Sequence, residues 1–273
     1  MELRKCAGVT DDIVNSFSSY LLANGRSENT IKTYRDVLYS FCHWLEANNR
    51  SIQQLTSQDV QAYIDYLESE QRSVSTINKI FNAINTFTKS INKHEIMKKV
   101  HRVENRIETT PPEFLDKKEI QTLLEKINND GNKRNSAIVY ILLHAGVRVS
   151  ELCDLLRSDV QLSNQTGRLI VRNKNGERVI PLSNDCILHV KEYLKSRDDN
   201  HEALFLSKNQ KRLSVRTVQH TLQQYGVHPN KLRHTFCYEL VEKGLDLSVV
   251  AQLAGHSDLN ITRQYIKTAK VNP

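Results

Sequence analysis

The sequence lacks the features that mark membrane-spanning, secreted and zinc-binding proteins. No run of apolar residues is long enough to cross a bilayer as a helix, and the opening residues MELRKCAGVTDD contain no apolar signal-peptide segment. There are five cysteines, and none is part of a CxxC pair: Cys6, Cys42, Cys153, Cys186 and Cys237. An odd, scattered set argues against a disulfide framework or a zinc site. The expectation is a bacterial protein of the reducing cytoplasm, with no membrane partner.

Positive charge is concentrated in the second part of the chain. The 273 residues carry a net charge of +7, with a pI of about 9.1. Residues 1–110 contribute a net +1 and residues 111–273 a net +6. A basic surplus favours an acidic partner such as nucleic acid, although many proteins without such a partner are equally basic.

The first hundred residues contain four segments with apolar residues at helical spacing. They cover residues 11–25, 27–49, 55–71 and 74–91. The apolar stripe of the first segment consists of Ile13, Val14, Phe17, Tyr20, Leu21 and Leu22. Thr56 and Asp59 resemble a capping box at the start of the third segment. Four amphipathic helices of this size predict a small bundle with the stripes packed in its core.

The helical pattern breaks at residues 104–113, ENRIETTPPE. Two consecutive prolines cannot continue a helix and favour an extended chain. A new helix is predicted directly afterwards, with Asp116 as its cap and Glu119 completing a capping box. The sequence therefore predicts a helical domain at residues 1–103, a linker at 104–113 and a second domain at 114–273.

The second domain is predicted to be mainly helical with a small β-sheet. Residues 136–146 are apolar nearly all round, which is typical of a buried helix. Residues 167–182 contain two strand-like runs that flank Asn175-Gly176, a dipeptide that favours a hairpin turn. Helical spacing resumes at residues 187–197, 214–226, 231–244 and 248–256.

Four separated segments of the second domain carry the reactive and charged side chains of interest. They are HAGVRVSEL, the hairpin turn with its lysine, NKLRH and LAGHSDLNITRQYI. Each alone has an ordinary explanation, since arginines near helix starts form salt bridges and a hairpin lysine is solvated. An isolated tyrosine is usually a half-buried core residue, and a histidine after glycine usually packs or caps a helix. The combination of all four is more specific than any one of them.

The combination resembles the tyrosine recombinase family, which includes the phage integrases and the Xer-type chromosome recombinases. The resemblance is carried, in this order, by GVRVSEL, a hairpin lysine, LRHTF and LAGHSDLNITRQY. The resemblance extends over nearly the whole chain and includes the spacing from His256 to Tyr265. It implies that residues 1–103 form a core-binding domain that clamps DNA, and that residues 114–273 form an α+β catalytic domain.

The resemblance also implies a role for each site residue. Tyr265 would attack a DNA phosphodiester, giving a 3′-phosphotyrosine and a free 5′-hydroxyl. Arg148 and Arg233 would hold the non-bridging oxygens of the phosphate. Lys174 would protonate the leaving 5′ oxygen, and His256 would hydrogen-bond the phosphate.

Physical chemistry supports these residue types independently of the family. Two guanidiniums make planar, permanently charged contacts to a phosphodiester, whose oxygens gain negative charge as the nucleophile attacks. A covalent phosphotyrosine preserves the bond energy, so rejoining needs no ATP. Lysine is a suitable acid because its pKa falls when it is desolvated among cations. By the resemblance alone, Glu151 would be the acidic residue that orients the site. No carboxylate pair or His/Cys cluster points to a catalytic metal, so no cofactor is predicted.

The match departs from the family at Asn230, where histidine is usual. An asparagine amide can donate a hydrogen bond to a phosphate oxygen but cannot exchange a proton near neutral pH. We interpret Asn230 as a phosphate contact, with a helix cap as the alternative. His256, His228 or a water would then accept the proton of Tyr265. His234 matches a position interpreted as structural.

The sequence thus predicts a site-specific DNA recombinase that exchanges strands through a Holliday junction. It would act as a homotetramer on two double-stranded DNA sites and be a monomer or weak dimer when free. Only eight residues follow Tyr265, fewer than is typical of Xer-like recombinases, which leaves the contacts between protomers open. The alternatives are a type IB topoisomerase-like activity and a non-catalytic DNA-binding protein that retains the fold. Candidate phosphate contacts are Lys32, Arg35, Lys79, Lys89, Lys208, Lys211, Arg212 and Arg216.

Overall fold

The computed structural model describes residues 3–101, 112–163, 166–173 and 176–269, and the side chains of these ranges except residues 3–9 and 267–269. The chain divides into two compact units, Met1–Glu108 and Thr109–Pro273. Residues 104–111 of the predicted linker lie outside the described residues, so the proposed domain limits stay a prediction. Within the described ranges, no helix combines the length and apolarity needed to cross a membrane.

The first unit is a helical bundle, as the apolar spacing predicts. Its α-helices are α1 (Leu3–Ala23), α2 (Glu28–Ala47), α3 (Ser57–Ser69) and α4 (Val74–Ser90), and a 3₁₀ helix follows at His94–Lys99. Phe17 of α1 packs edge-to-face on Phe87 of α4, with ring centroids 5.4 Å apart. The core is formed by most residues of the predicted stripes.

Local signals in this unit are largely confirmed, with one exception. The Thr56 and Asp59 capping box is formed, and the backbone N–H of Thr56 donates to Asp59 Oδ2 at 2.8 Å. Leu22, which the sequence places in the apolar stripe of the first helix, is instead 67% exposed. It follows the buried Leu21 by one residue, and one step along a helix rotates a side chain by about 100°, away from the core.

The second unit is built around one buried helix. Its helices are α5 (Lys117–Asp130), α6 (Lys133–Ala145), α7 (Val149–Asp154), α8 (Asn184–Lys195), α9 (Val215–Gln224), α10 (Pro229–Glu242), α11 (Leu247–Ala254) and α12 (Leu259–Ala269). Every residue of α6 from Asn135 to Leu143 is buried, and the helix packs against α8 and α10. The predicted buried helix is thus confirmed, because a segment that is apolar on all sides needs partners on all sides.

A three-stranded antiparallel sheet lies on the same unit. The strands are β1 (Val160–Leu162), β2 (Gly167–Asn173) and β3 (Gly176–Pro181), in the order β1-β2-β3. Asn173 pairs with Gly176, so β2 and β3 form the hairpin predicted around Asn175-Gly176. Residues 174 and 175 lie outside the described residues, so the structure does not test the predicted hairpin position of Lys174. The sequence did not indicate β1, whose three residues are too few to show a period.

The last three helices bring the remaining site residues together. Helix α10 packs against α6, α11 and α12. It carries Arg233, and α12 carries Tyr265. Among the described residues, the chain is mainly helical with a small sheet, which confirms the predicted fold class.

Candidate active site

Arg148 lies where α6 gives way to α7. Gly146 ends α6 in the left-handed conformation, with φ of +57°, and Arg148 precedes the first residue of α7. The Arg148 backbone N–H donates to Glu151 Oε2 at 2.8 Å, and Arg148 Nη1 donates to Oε1 at 3.2 Å. Arg148 Nη2 donates to the carbonyl of Gly255 at 2.7 Å. The guanidinium is therefore fixed at two points, while 42% of the side chain stays exposed.

Arg233, the second arginine of the site, is buried in α10, with 7% of its surface exposed. Its Nη1 donates to the carbonyl of Gly146. Burial lowers the pKa of the Arg233 guanidinium, and the charge of Arg148 lowers it further. Guanidinium groups stay protonated in proteins, so both arginines are cations at neutral pH. An anion bound between them would relieve their mutual repulsion.

Glu151 is held by two arginines. Arg178 Nη1 donates to Glu151 Oε1 at 2.9 Å and Nη2 donates to Oε2 at 2.7 Å, while Arg148 donates from the other side. Burial raises the pKa of the Glu151 carboxyl, but the hydrogen bonds and charges of the arginines outweigh burial and bring the pKa to about 2. Glu151 is therefore a carboxylate at neutral pH, and it orients Arg148.

Sequence reasoning missed Arg178. Its Nε also donates to the carbonyl of Leu253, so it links β3 to the end of α11. A signal was available in the strand's alternation, because Arg178 lies on the same face as the buried Ile180. A charged residue on an inward face requires a charged partner.

The arginines and Glu151 leave an excess of positive charge. Arg148 and Arg178 both donate to Glu151, and the pKa of Arg233 responds to the charges of all three groups. Three guanidiniums and one carboxylate give these four described residues a net charge of +2. Such an excess in a partly buried setting favours an anion such as a phosphodiester.

Tyr265 is almost completely buried, with 1% of its surface exposed. Its hydroxyl oxygen lies 2.6 Å from Nδ1 of His234, on the neighbouring helix α10. Burial raises the pKa of Tyr265, the Cys237 thiol raises it further, and the charge of Arg233 acts in the opposite direction. His234, which the sequence suggested was structural, therefore contacts the predicted nucleophile directly.

His256 lies against the ring of Tyr265. The two rings are parallel, at an interplanar angle of 4° and a centroid distance of 6.3 Å. His256 Nδ1 and Thr262 Oγ1 are 2.9 Å apart. Burial and the charges of Arg233 and Arg148 lower the pKa of His256 to about 4. His256 is therefore neutral near pH 7 and suited to hydrogen bonding rather than to charge pairing.

The start of α10 shows how His228 and the unusual Asn230 are used. His228 is the N-cap, and its Nδ1 accepts the backbone N–H of Asn230 at 3.2 Å. The alternative that Asn230 caps the helix is wrong, because Asn230 lies inside the first turn. Its side chain is exposed, so its amide is accessible to a ligand.

The candidate phosphate contacts differ in their exposure and in the hydrogen bonds that they already make. Arg212 donates to the carbonyls of Cys153 and Asp154 at 3.1 and 2.9 Å, so it provides hydrogen-bond donors for carbonyls at the C-terminal end of α7. Arg35 is half-buried beside Lys32 on α2. The other candidates are exposed: Lys32, Lys79, Lys89, Lys208, Lys211 and Arg216. Among the described residues, no group of three or more His, Cys, Asp or Glu side chains could hold a metal ion.

Comparison with known proteins identifies the class. Residues 113–271 match the phage integrase family, and residues 14–93 match the phage integrase N-terminal SAM-like domain. The tyrosine recombinase XerA of Pyrococcus furiosus is 32% identical over 272 residues, covering 95% of this chain and 91% of XerA. The TnP I resolvase of Bacillus thuringiensis is 29% identical, with 93% of this chain and 94% of the resolvase covered.

A solved structure shows the same fold over most of the chain. The XerH recombinase, in a post-cleavage complex with a palindromic difH substrate, aligns with a TM-score of 0.75 at 21% identity, over 93% of this chain and 82% of XerH. The chain belongs to the phage integrase family of tyrosine recombinases. The family and the enzyme class predicted from the sequence boxes are thereby confirmed.

Proposed function

We propose that this chain cleaves and rejoins double-stranded DNA at specific sites, with Tyr265 as nucleophile and Arg148 and Arg233 as the phosphate clamp. The observation that carries the proposal is the net charge of +2 on Arg148, Arg178, Arg233 and Glu151, in the same compact unit as the buried hydroxyl of Tyr265. A phosphodiester placed between the two guanidiniums would be oriented and partly neutralised before attack.

The cleavage step follows from these groups. Tyr265 Oη forms a bond to phosphorus as the bond from phosphorus to the 5′ oxygen breaks. Arg148 and Arg233 stabilise the charge that builds on the non-bridging oxygens, a contribution of about 10²–10³-fold in rate for each donor. The neutral His256 adds a hydrogen bond to the same phosphate. Lys174 supplies the proton that the leaving 5′ oxygen takes up.

Rejoining is the reverse of cleavage with another 5′-hydroxyl as nucleophile. Because the phosphotyrosine conserves the energy of the broken bond, the exchange needs no ATP. Exchange of one strand from each of two sites produces a Holliday junction, and a second pair of exchanges resolves it. Four protomers on two sites supply the four cuts, and the free protein is a monomer or weak dimer.

Asn230 fits the phosphate-binding side of this mechanism. Its exposed amide on the first turn of α10 is a neutral donor, and helix N-terminal turns favour anions. The exposed basic residues of both units supply contacts to the DNA backbone that set affinity but not sequence. Arg212 is the weakest of these candidates, because its guanidinium already serves two backbone carbonyls.

Covalent trapping tests the nucleophile. Selection from a pool of duplexes with a randomised centre supplies the binding site, and a nick placed near the cut traps the cleaved intermediate. We expect the unaltered chain to form an SDS-resistant complex and Tyr265→Phe to form none while binding the same duplex. Tyr140→Phe, which alters another buried tyrosine of the same unit, is the matched control and keeps full trapping.

Strand exchange separates recombination from the alternatives. Incubation with two labelled duplexes that carry the selected site yields Holliday junctions and exchanged products if the chain is a recombinase. A type IB topoisomerase-like enzyme would relax supercoiled DNA without exchanging partners. A non-catalytic DNA-binding protein would bind the site without any covalent complex.

A further inference from the structure

The hydroxyl of Tyr265 has a specific partner that the recombinase mechanism above does not use. His234 Nδ1 lies 2.6 Å from Tyr265 Oη, which is a short, direct contact between α10 and α12. The rings are tilted at 42°, with centroids 5.9 Å apart, so the contact is edge-on through the nitrogen rather than a stack. Tyr265 is buried and His234 half-buried, so bulk water is a poor competitor for the same hydroxyl.

The surroundings keep His234 able to accept a proton. Burial lowers the pKa of His234, and the charges of Arg233 and His228 lower it further. The imidazole is therefore neutral near pH 7, and it accepts from the tyrosine when its hydrogen is on Nε2. The described titratable groups that act on this contact are Arg233 and Cys237 of α10, its N-cap His228, Tyr265 of α12 and His256.

The other candidate acceptors are less suited to the task. Asn230, at the position where the family usually has histidine, has no basic nitrogen. His228 uses its Nδ1 to accept the backbone N–H of Asn230. His256 has its Nδ1 engaged with Thr262, and its pKa of about 4 makes it a weak base. Cys237 has a raised pKa, so its thiol is neutral and is not a base.

We infer that His234 is the general base that takes the proton of Tyr265 during DNA cleavage, in place of the histidine that Asn230 replaces. This inference rests on the proposed cleavage function. In the step, the Tyr265 O–H proton moves to His234 Nδ1 as Oη bonds to phosphorus. The bond to the 5′ oxygen breaks, and that oxygen receives a separate proton from the Lys174 ammonium. In rejoining, His234 returns its proton to Tyr265 Oη.

Three variants separate proton transfer from positioning. His234→Asn keeps a hydrogen-bond acceptor near the place of Nδ1 but cannot take up a proton, and His234→Ala removes the ring. Both are expected to slow single-turnover cleavage of the nicked duplex by about 10²-fold or more, as for loss of a general base. Added imidazole is expected to raise the cleavage rate of His234→Ala at least tenfold. Asn230→His in the His234→Ala background also restores cleavage, because it places a base at the family's usual position.

The pH profile and a modified leaving group complete the test. Cleavage by the unaltered chain falls as the pH drops through the pKa of His234, which burial holds below the ordinary histidine value, and His234→Asn loses that dependence. A duplex with sulfur in place of the 5′ bridging oxygen needs no acid, so it rescues Lys174→Ala but not His234→Asn. Circular dichroism and DNA binding confirm that each variant is folded.

Two results would overturn the inference while leaving the proposed function intact. One is a His234→Asn rate within about fivefold of the unaltered chain, since a general base contributes far more. The other is rescue of His234→Asn by the sulfur substrate, which would assign His234 to the leaving group. Failure of the unaltered chain to form any covalent complex would instead refute the proposed cleavage function itself.

Discussion

Arg178 and Glu151 form a two-pronged ion pair in which both side chains are 8% exposed, with Nη1–Oε1 and Nη2–Oε2 distances of 2.9 and 2.7 Å. The pair joins strand β3 to helix α7, and Arg178 Nε extends the link to the carbonyl of Leu253 at the end of α11. Three elements that are distant in sequence are therefore fastened beside Arg148. An arginine–carboxylate pair with two parallel hydrogen bonds is both strong and directional.

The Arg178→Met variant is expected to lower the free energy of unfolding by about 3–5 kcal/mol, because it leaves the buried carboxylate of Glu151 with only one arginine partner. Urea unfolding of the purified protein measures the change. Lys243→Met, which removes an exposed i,i+4 pair with Glu239, is the matched control and is expected to change stability by about 0.5 kcal/mol or less. Equal effects of the two substitutions would contradict the structural role of Arg178.

Stability is expected to depend on pH through Glu151. Its folded-state pKa of about 2 lies below the unfolded value, so its contribution is present in full above the unfolded pKa of about 4.3 and is lost as the pH falls towards 2. The difference in unfolding free energy between the unaltered chain and Glu151→Gln should therefore shrink as the pH falls from 5 to 3. Urea titrations of both proteins at several pH values measure this difference. A constant difference across that range would contradict the assignment.

Gly146 is expected to be less replaceable than another glycine with the same backbone conformation. Gly146 has φ of +57°, and a Cβ there would overlap the ring of Phe236. Gly131 has φ of +65°, and a Cβ there would meet no atom within 4 Å. Gly131→Ala should cost about 1–2 kcal/mol of left-handed strain, and Gly146→Ala should cost an additional 1–3 kcal/mol or so of overpacking. Thermal unfolding of the two variants compares them.

Gly146→Ala should also reduce cleavage more than its stability loss explains. The carbonyl of Gly146 accepts from Arg233, so a shift of this residue moves the phosphate clamp. Single-turnover trapping at a temperature where both alanine variants are fully folded separates the two effects. Equal cleavage by Gly131→Ala and Gly146→Ala would show that the clamp tolerates the shift.

Asn230→Ala is expected to weaken cleavage moderately. The substitution removes one neutral hydrogen-bond donor from the first turn of α10, which is worth about 0.5–1.5 kcal/mol, or a factor of about 2–13 in rate. Because His228 provides the helix cap, stability should be nearly unchanged. Single-turnover kinetics on the nicked duplex and urea unfolding measure the two quantities. A loss as large as that of Tyr265→Phe would assign Asn230 a larger role than phosphate contact.

Local sequence signals predicted much of the fold because they act over a few residues. The capping box of Asp116 and Glu119 is formed at the start of α5, and the all-apolar segment at 136–146 is the buried helix α6. The strands on either side of the predicted turn pair from Asn173 and Gly176 onwards, as the Asn-Gly dipeptide predicts. Each of these outcomes depends on neighbours within one or two turns, so composition and spacing were sufficient.

Tertiary packing decided the partners inside the site. Arg148 reaches a carbonyl 107 residues away, and Tyr265 meets His234 across 31 residues. No local pattern encodes such contacts, because they depend on how α10 packs against α6, α11 and α12. Tertiary contacts also made Arg212 a donor to carbonyls at the end of α7, and they left Asn230 exposed.

The sequence by itself determined the family, the fold class and the candidate residues Arg148, Glu151, Arg233, His256 and Tyr265, since their identities and order are written directly in the chain. Only the tertiary structure decided how these groups are charged and paired. Hydrogen bonds and charges of two arginines lower the pKa of Glu151 to about 2 against the effect of burial. Burial and the charges of Arg233 and Arg148 lower the pKa of His256 to about 4, and helix packing places the hydroxyl of Tyr265 against His234. Those properties arise from desolvation and from charges contributed by distant segments, and both exist only once the helices have packed.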